Sequence, residues 1–135
     1  MKNTVLSLAT FLALTLLFGS CKEEPSFKEQ LVGNWVSTEV LSGNTNLSGS
    51  NTFTLNLQAT DEFDLDIVSV VPISGEIRQS FLGDWQTDDK KQDLILKYEG
   101  YEESKTWEII AISNTSLKAS MIENNVRYQL TFKRQ

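Results

Sequence analysis

Residues 51–71, NTFTLNLQATDEFDLDIVSVV, decide the fold class. Phe53, Leu55 and Leu57 alternate with Thr52, Thr54 and Asn56. After the polar break Ala59-Thr60-Asp61, Phe63, Leu65 and Ile67 alternate with Glu62, Asp64 and Asp66. A period of two sends successive side chains to opposite faces of a strand, so each run has one apolar face and one wet face. Two such runs joined by a short polar turn make an antiparallel hairpin with one buried side. The acidic row of the second run faces solvent. Its carboxylates stand in line and do not converge on a cation, so no metal site is expected there.

The same alternation recurs on either side. Predicted strands cover Gly33–Leu41, Asn51–Gln58, Glu62–Val71, Glu76–Thr87, Gln92–Glu99, Ser104–Ile112, Ser116–Ile122 and Val126–Arg134. Nothing after residue 32 has a helical period. Ser26 to Leu31 can form one turn with Ser26 as its cap. Short strands at near-regular spacing predict an all-β fold, here an eight-stranded antiparallel up-and-down barrel. Its inward positions are Trp35, Phe53, Leu55, Leu57, Phe63, Leu65, Ile67, Ile77, Phe81 and Trp85 in the first half. In the second half they are Leu94, Leu96, Tyr98, Trp107, Ile109, Leu117, Met121, Tyr128, Leu130 and Phe132. This bulky set favours a filled interior. The same parity turns Ser37, Glu39 and Gln79 inward, and interior polar groups must be paired or wet. Glu39, Gln79, Tyr98, Trp107 and Tyr128 are therefore candidate ligand-binding side chains of a polar-tipped pocket. A slip in the register of the first strand would instead turn Glu39 outward.

Two further motifs concern the barrel's ends. Gly33-Asn34-Trp35 opens the first strand and Gly83-Asp84-Trp85 lies near the end of the fourth. In antiparallel order these positions share one end. Trp35 and Trp85 are expected to plug it, with Gly33 and Gly83 admitting the rings and close backbone contact. The long polar segment Ser42–Ser50, SGNTNLSGS, falls at the other end.

The first 20 residues have a secretory signal's form: Lys2, a mostly apolar run from Val5 to Phe18, then small residues. The run is short for a membrane-spanning helix and fits a cleavable leader. Cys21 follows directly and is the single cysteine, which rules out an intramolecular disulfide. The expected organisation is a lipoprotein signal over 1–20, a lipidated tether over 21–30 and a barrel domain over 31–135. Lys2 is the leader's one charge, so the remainder carries 11 Lys and Arg against 18 Asp and Glu. That balance argues against nucleic acid, which needs clustered cations. The chain has no histidine. Histidine triads, histidine zinc sites and histidine general bases are thereby excluded. No catalytic residues, no cofactor and no enzymatic activity are expected.

These residues carry a resemblance. Leu17-Phe18-Gly19-Ser20-Cys21 resembles a bacterial lipobox, with Phe18 where an aliphatic residue is usual, and this implies a diacylglyceryl group on Cys21. Lys22-Glu23-Glu24 resembles the surface-export signal of Bacteroidetes-type lipoproteins. Gly33-Asn34-Trp35, Thr106-Trp107-Glu108-Ile109, Ser113-Asn114-Thr115-Ser116-Leu117 and Tyr128-Gln129-Leu130-Thr131-Phe132-Lys133 resemble the lipocalin-like domain of small Bacteroidetes lipoproteins. The resemblance implies that a cation of the last strand packs on the first tryptophan. That role is carried to Arg134, which has inward parity, with Lys133 as second choice. It further implies a lipid-anchored outer-membrane protein, held to the membrane by its lipid and binding a small, partly apolar ligand. The alternative is an accessory or adhesion module with a filled barrel, meeting protein or glycan through its loops.

Overall fold

A computed structural model describes residues 21–135; the expected signal, residues 1–20, lies outside them. Helix α1 (Phe27–Leu31) precedes nine strands: β1 (Gly33–Ser42), β2 (Thr45–Asn46), β3 (Asn51–Leu57), β4 (Glu62–Val71), β5 (Gly75–Asp88), β6 (Asp93–Tyr98), β7 (Ser104–Ile112), β8 (Ser116–Glu123) and β9 (Val126–Arg134). Strands β1 and β3 to β9 pair antiparallel with their chain neighbours, and β1 also pairs with β9. The result is a closed eight-stranded barrel. The short β2 is a hairpin return on β1, pairing Leu41 with Asn46. The segment Ser42–Ser50 is thus partly ordered: Leu47 donates its N–H to the Val40 carbonyl, and the Ser48 hydroxyl accepts from the Val40 N–H.

Alternation explains the core. Phe53, Leu55 and Leu57 on β3, Phe63 and Leu65 on β4, and Leu94 and Leu96 on β6 are all buried. Their polar alternates face water. Fully burying one such side chain contributes about 1.5–3 kcal/mol.

One end is sealed. The Trp35 indole N–H donates to the Leu31 carbonyl at 2.8 Å, and the Trp85 indole N–H to the Gln58 carbonyl at 2.9 Å. Arg134 lies 4.1 Å over the Trp35 ring. Its guanidinium also donates to the carbonyls of Asn114, Val32 and Gln30 at 2.7, 2.6 and 2.8 Å. Lys133, one position earlier, faces outward on the strand. Gly33 has φ +145°, and a Cβ added there would collide with the Arg134 guanidinium. A Cβ at Gly83 would collide with the Lys97 carbonyl and press on the Phe63 ring at 2.9 Å. Both positions need glycine because another group occupies the space a side chain would take.

Helix α1 completes the seal. Its start is a capping box: the Glu29 N–H donates to the Ser26 hydroxyl, and the Ser26 N–H to the Glu29 carboxylate. Leu31 at its end is fully buried. Lys28 reaches across the end, pairing with Asp61 at 2.6 Å and standing 5.2 Å over the Trp85 ring. The turns 58–61, 89–92 and 113–115 surround this end, while the segments 43–50, 72–74, 99–103 and 124–125 surround the other.

Removing a ring from this seal leaves a large void in a small barrel. Trp35→Ala is expected to cost about 3–5 kcal/mol, as for other large buried side chains. Urea unfolding checks it, and a loss below about 1 kcal/mol would mean that the ring adds little to the core.

Candidate functional site

The end opposite Trp35 is not filled. A cavity of about 630 Å³ opens there. Its floor and walls are Phe53, Leu65, Ile67, Phe81, Trp107 and Met121. The reason lies in strand lengths. β5 has 14 residues and β6 only six, so β6 accompanies β5 from Gly83 onward and leaves its first half without a neighbour on that side. Inward residues there no longer meet partners across a closed wall. Ile77 keeps inward parity yet stands half-exposed at the mouth, which corrects its expected place in the core.

Aromatic rings lead from floor to rim. Tyr98 meets Phe63 edge-on at 5.4 Å, Phe81 at 5.2 Å and Tyr101 at 6.2 Å. Trp107 stacks on Phe132 at 6.2 Å, tying the cavity wall to the packed half below. Edge-on and offset contacts of this kind suit the ring quadrupoles. Burial pushes the Tyr98 phenol up to about 12, and the Glu123 carboxylate adds to the effect. Tyr98 therefore stays neutral and offers the cavity a hydroxyl, never a phenolate, at ordinary pH.

The rim is polar and mostly acidic. Glu102 and Glu103 project from the β6–β7 connection, and Glu123 ends β8. Lys105 Nζ pairs with the Glu123 carboxylate at 3.0 Å. Gln79, Thr106 and Asn124 complete the polar lining.

Four of the side chains singled out in the sequence line this cavity: Gln79, Tyr98, Trp107 and Tyr128. Glu39 does not. A bulge at Thr38 shifts the β1–β9 register, so Ser37 pairs with Phe132 but Glu39 pairs with Thr131. The extra residue reverses the parity beyond it. Glu39 turns outward, where its carboxylate accepts from the Thr131 hydroxyl at 3.4 Å, and Val40 takes the buried position. Ser37 remains inward and its hydroxyl accepts from the Phe53 N–H at 2.8 Å. Gly33, Trp35, Gly83, Trp85 and Arg134 gather at the sealed end. Cys21, Lys22, Glu23 and Glu24 are exposed ahead of α1. Sequence reasoning missed Lys105 and Glu123 as cavity residues. Extending the β7–β8 register by three positions from Glu108 opposite Ser120 brings the two face to face.

Among solved structures, the chain is similar to the siderocalin Ex-FABP, described as functioning through dual ligand specificities. The TM-score is 0.51 at 16% identity, covering 78% of this chain and 74% of that one. It is also similar to lobster apocrustacyanin A1, with TM-score 0.44 and 12% identity over 78% of this chain and 61% of that one. The barrel has a lipocalin-like fold. At this identity the likeness is one of fold. No protein-family model matches the chain, and no curated protein matches it in sequence.

The lipocalin-like barrel offers an apolar, aromatic-walled recess with polar groups at its lip. Among the described residues no group of three or more Cys, Asp or Glu side chains is placed to hold a metal. No buried side-chain polar atom among them lacks a partner.

The Tyr98 environment has a measurable consequence. A folded-state pKa raised from 10.0 to about 12 means that folding favours the protonated phenol. This contribution is complete below pH 10 and is lost as pH rises through 12. Tyr98→Phe should flatten the decline in stability over that window. Denaturant melts of both proteins across alkaline pH check it; parallel declines would show that Tyr98 titrates normally.

Proposed function

We propose that this chain is a lipid-anchored outer-membrane protein whose barrel takes up one small amphiphile, apolar body on the cavity floor and polar head at the rim. The observation that carries the binding half is the cavity of about 630 Å³ with its aromatic and aliphatic floor. Ligand sites in proteins commonly span about 300–1,000 Å³ and combine apolar walls with a few polar groups. Ex-FABP is described by its dual ligand specificities; a ligand role comes to this chain on the analogy of fold. The filled-barrel alternative is weakened, because packing is complete only in the Trp35 half.

The rim gives the ligand's head a charge preference. An anionic head would stand among Glu102, Glu103 and Glu123, and the one lysine there is already held by Glu123. Like charges in a partly enclosed lip repel more strongly than in open water. Uncharged or cationic heads suit the site, and the aromatic faces of the tyrosines add attraction for a cation.

The anchoring half rests on the sequence at Cys21, with the free, exposed thiol compatible with it. A diacylglyceryl group, joined by a further acyl chain, holds a protein durably where one chain would not. Helix α1 lies on the sealed end, so the tether from Cys21 leaves from there and the open end faces away from the membrane. Lys22, Glu23 and Glu24 then act as the signal for surface display. This orientation suits capture from the medium better than extraction of lipid from the anchoring bilayer.

Two experiments test the two halves. Intrinsic tryptophan fluorescence is titrated with alkyl amines, alcohols and carboxylates of equal chain length. Amine and alcohol should bind at least about ten-fold tighter than carboxylate, a difference of about 1.4 kcal/mol. Met121→Trp, which fills the cavity, should abolish saturable binding with little change in melting. Equal binding by both proteins would overturn the cavity as the site. For the anchor, Cys21→Ser should lose metabolic labelling by a fatty acid. A variant labelled as strongly as wild type would rule out lipidation at Cys21.

A further inference from the structure

The β4–β5 hairpin carries a feature that ligand binding does not use. β5 pairs with β4 from Gly75 to Asp84, but with β6 only from Gly83 to Asp88. The last bond on that side runs from the Glu99 N–H to the Leu82 carbonyl, at 2.7 Å. Beyond it the wall opens, and a recess of about 310 Å³ separates Ser80–Leu82 from Glu99–Tyr101. Among the described residues nothing pairs the outer edge of β5 from Gly75 to Phe81. Residues 75–80 are all exposed.

Backbone direction on this edge follows from the ladder. The Trp85 N–H donates to the Asp61 carbonyl, toward β4. Alternation then directs the backbone groups of Gly83, Phe81, Gln79 and Ile77 to β4, and those of Leu82, Ser80, Arg78 and Glu76 to the open edge. An edge of this length is a template for another strand. The β4–β5 register is continuous, so no bulge twists the edge away. The segment Gly75–Phe81 contains neither lysine nor proline.

We propose that a second copy of this chain docks here, β5 against β5 in antiparallel pairing, with the twofold axis at Ile77. Charge and parity select both the partner and the register. In antiparallel self-pairing, residues that face the edge must oppose residues that face the edge, so the axis falls on a single residue. An axis at Glu76 sets glutamate opposite glutamate, and one at Arg78 sets arginine opposite arginine. An axis at Gln79 sets Glu76 opposite Leu82, whose carbonyl is already taken. An axis at Ile77 sets Glu76 opposite the partner's Arg78 and Arg78 opposite the partner's Glu76, and brings the two Ile77 side chains together. Glu76 and Arg78 form a long, solvent-exposed ion pair at 3.7 Å within one chain, which can be exchanged for two pairs across the interface. The half-exposed Ile77 gains cover at the same time. Edge and charge pattern together form a self-complementary strand.

The test is sedimentation velocity of the purified protein at concentrations up to about 1 mM, followed by native mass spectrometry of mixtures. Wild type should show a concentration-dependent dimer. E76R and R78E each set like charges opposite one another twice, and each should raise the dimer dissociation constant by about ten-fold or more. The two variants mixed should form a heterodimer, because an all-basic edge then meets an all-acidic one. The double variant E76R/R78E should dimerise like wild type. All four side chains stand in solvent, so circular dichroism melts should coincide for every protein. A wild type that stays monomeric throughout overturns the proposal, whether its edge stays empty or takes another protein's strand. Single variants that dimerise as well as wild type overturn it too.

Discussion

The stacking of Arg134 on Trp35 is the contact on which the rest of the barrel depends. One guanidinium covers the indole at 4.1 Å and donates to the carbonyls of Gln30, Val32 and Asn114. Those carbonyls belong to α1, to its junction with β1, and to the β7–β8 turn. The last strand thereby holds the start of the domain and a neighbouring turn in one place. Charge-assisted bonds to otherwise unpaired carbonyls are among the stronger individual polar contacts in a protein. They also account for Gly33, since a Cβ there would meet the guanidinium.

Sealing one end with bulky rings sets the character of the other. Trp35, Phe63, Leu117 and Phe132 are buried together in the lower half. Above them the wall is uneven, because β5 outgrows β6 by more than half its length. That mismatch has two effects. It leaves a recess with aromatic walls beneath the rim, and it leaves one edge of β5 without a strand beside it. Cavity and open edge have a common origin, while each stands on its own residues.

Much of this architecture is legible in the sequence, because a period of two cannot hide. Strand ends predicted from alternation lie within about one or two residues of those observed. The paired Gly-x-Trp motifs place both tryptophans at one end. What escaped was irregular or relational. The bulge at Thr38 falls in Ser37-Thr38-Glu39, where no large apolar residue reports the register, so alternation sends Glu39 inward and offers the slip that turns it outward only as an alternative. Ile77 has the right parity, but exposure depends on the length of β6, which is not written in β5. Lys105 and Glu123 pair across neighbouring strands, and only the register between those strands brings them together.

The barrel divides into a packed, sealed half and a half that holds an open cavity. Methyl and aromatic NMR spectra recorded during titration with an alkyl amine test it most directly. Saturable shifts are expected at Leu65, Ile67, Met121 and Trp107, with Leu57, Leu94 and Leu117 unmoved. Shifts of equal size in both groups, or shifts confined to the Trp35 end, would contradict it.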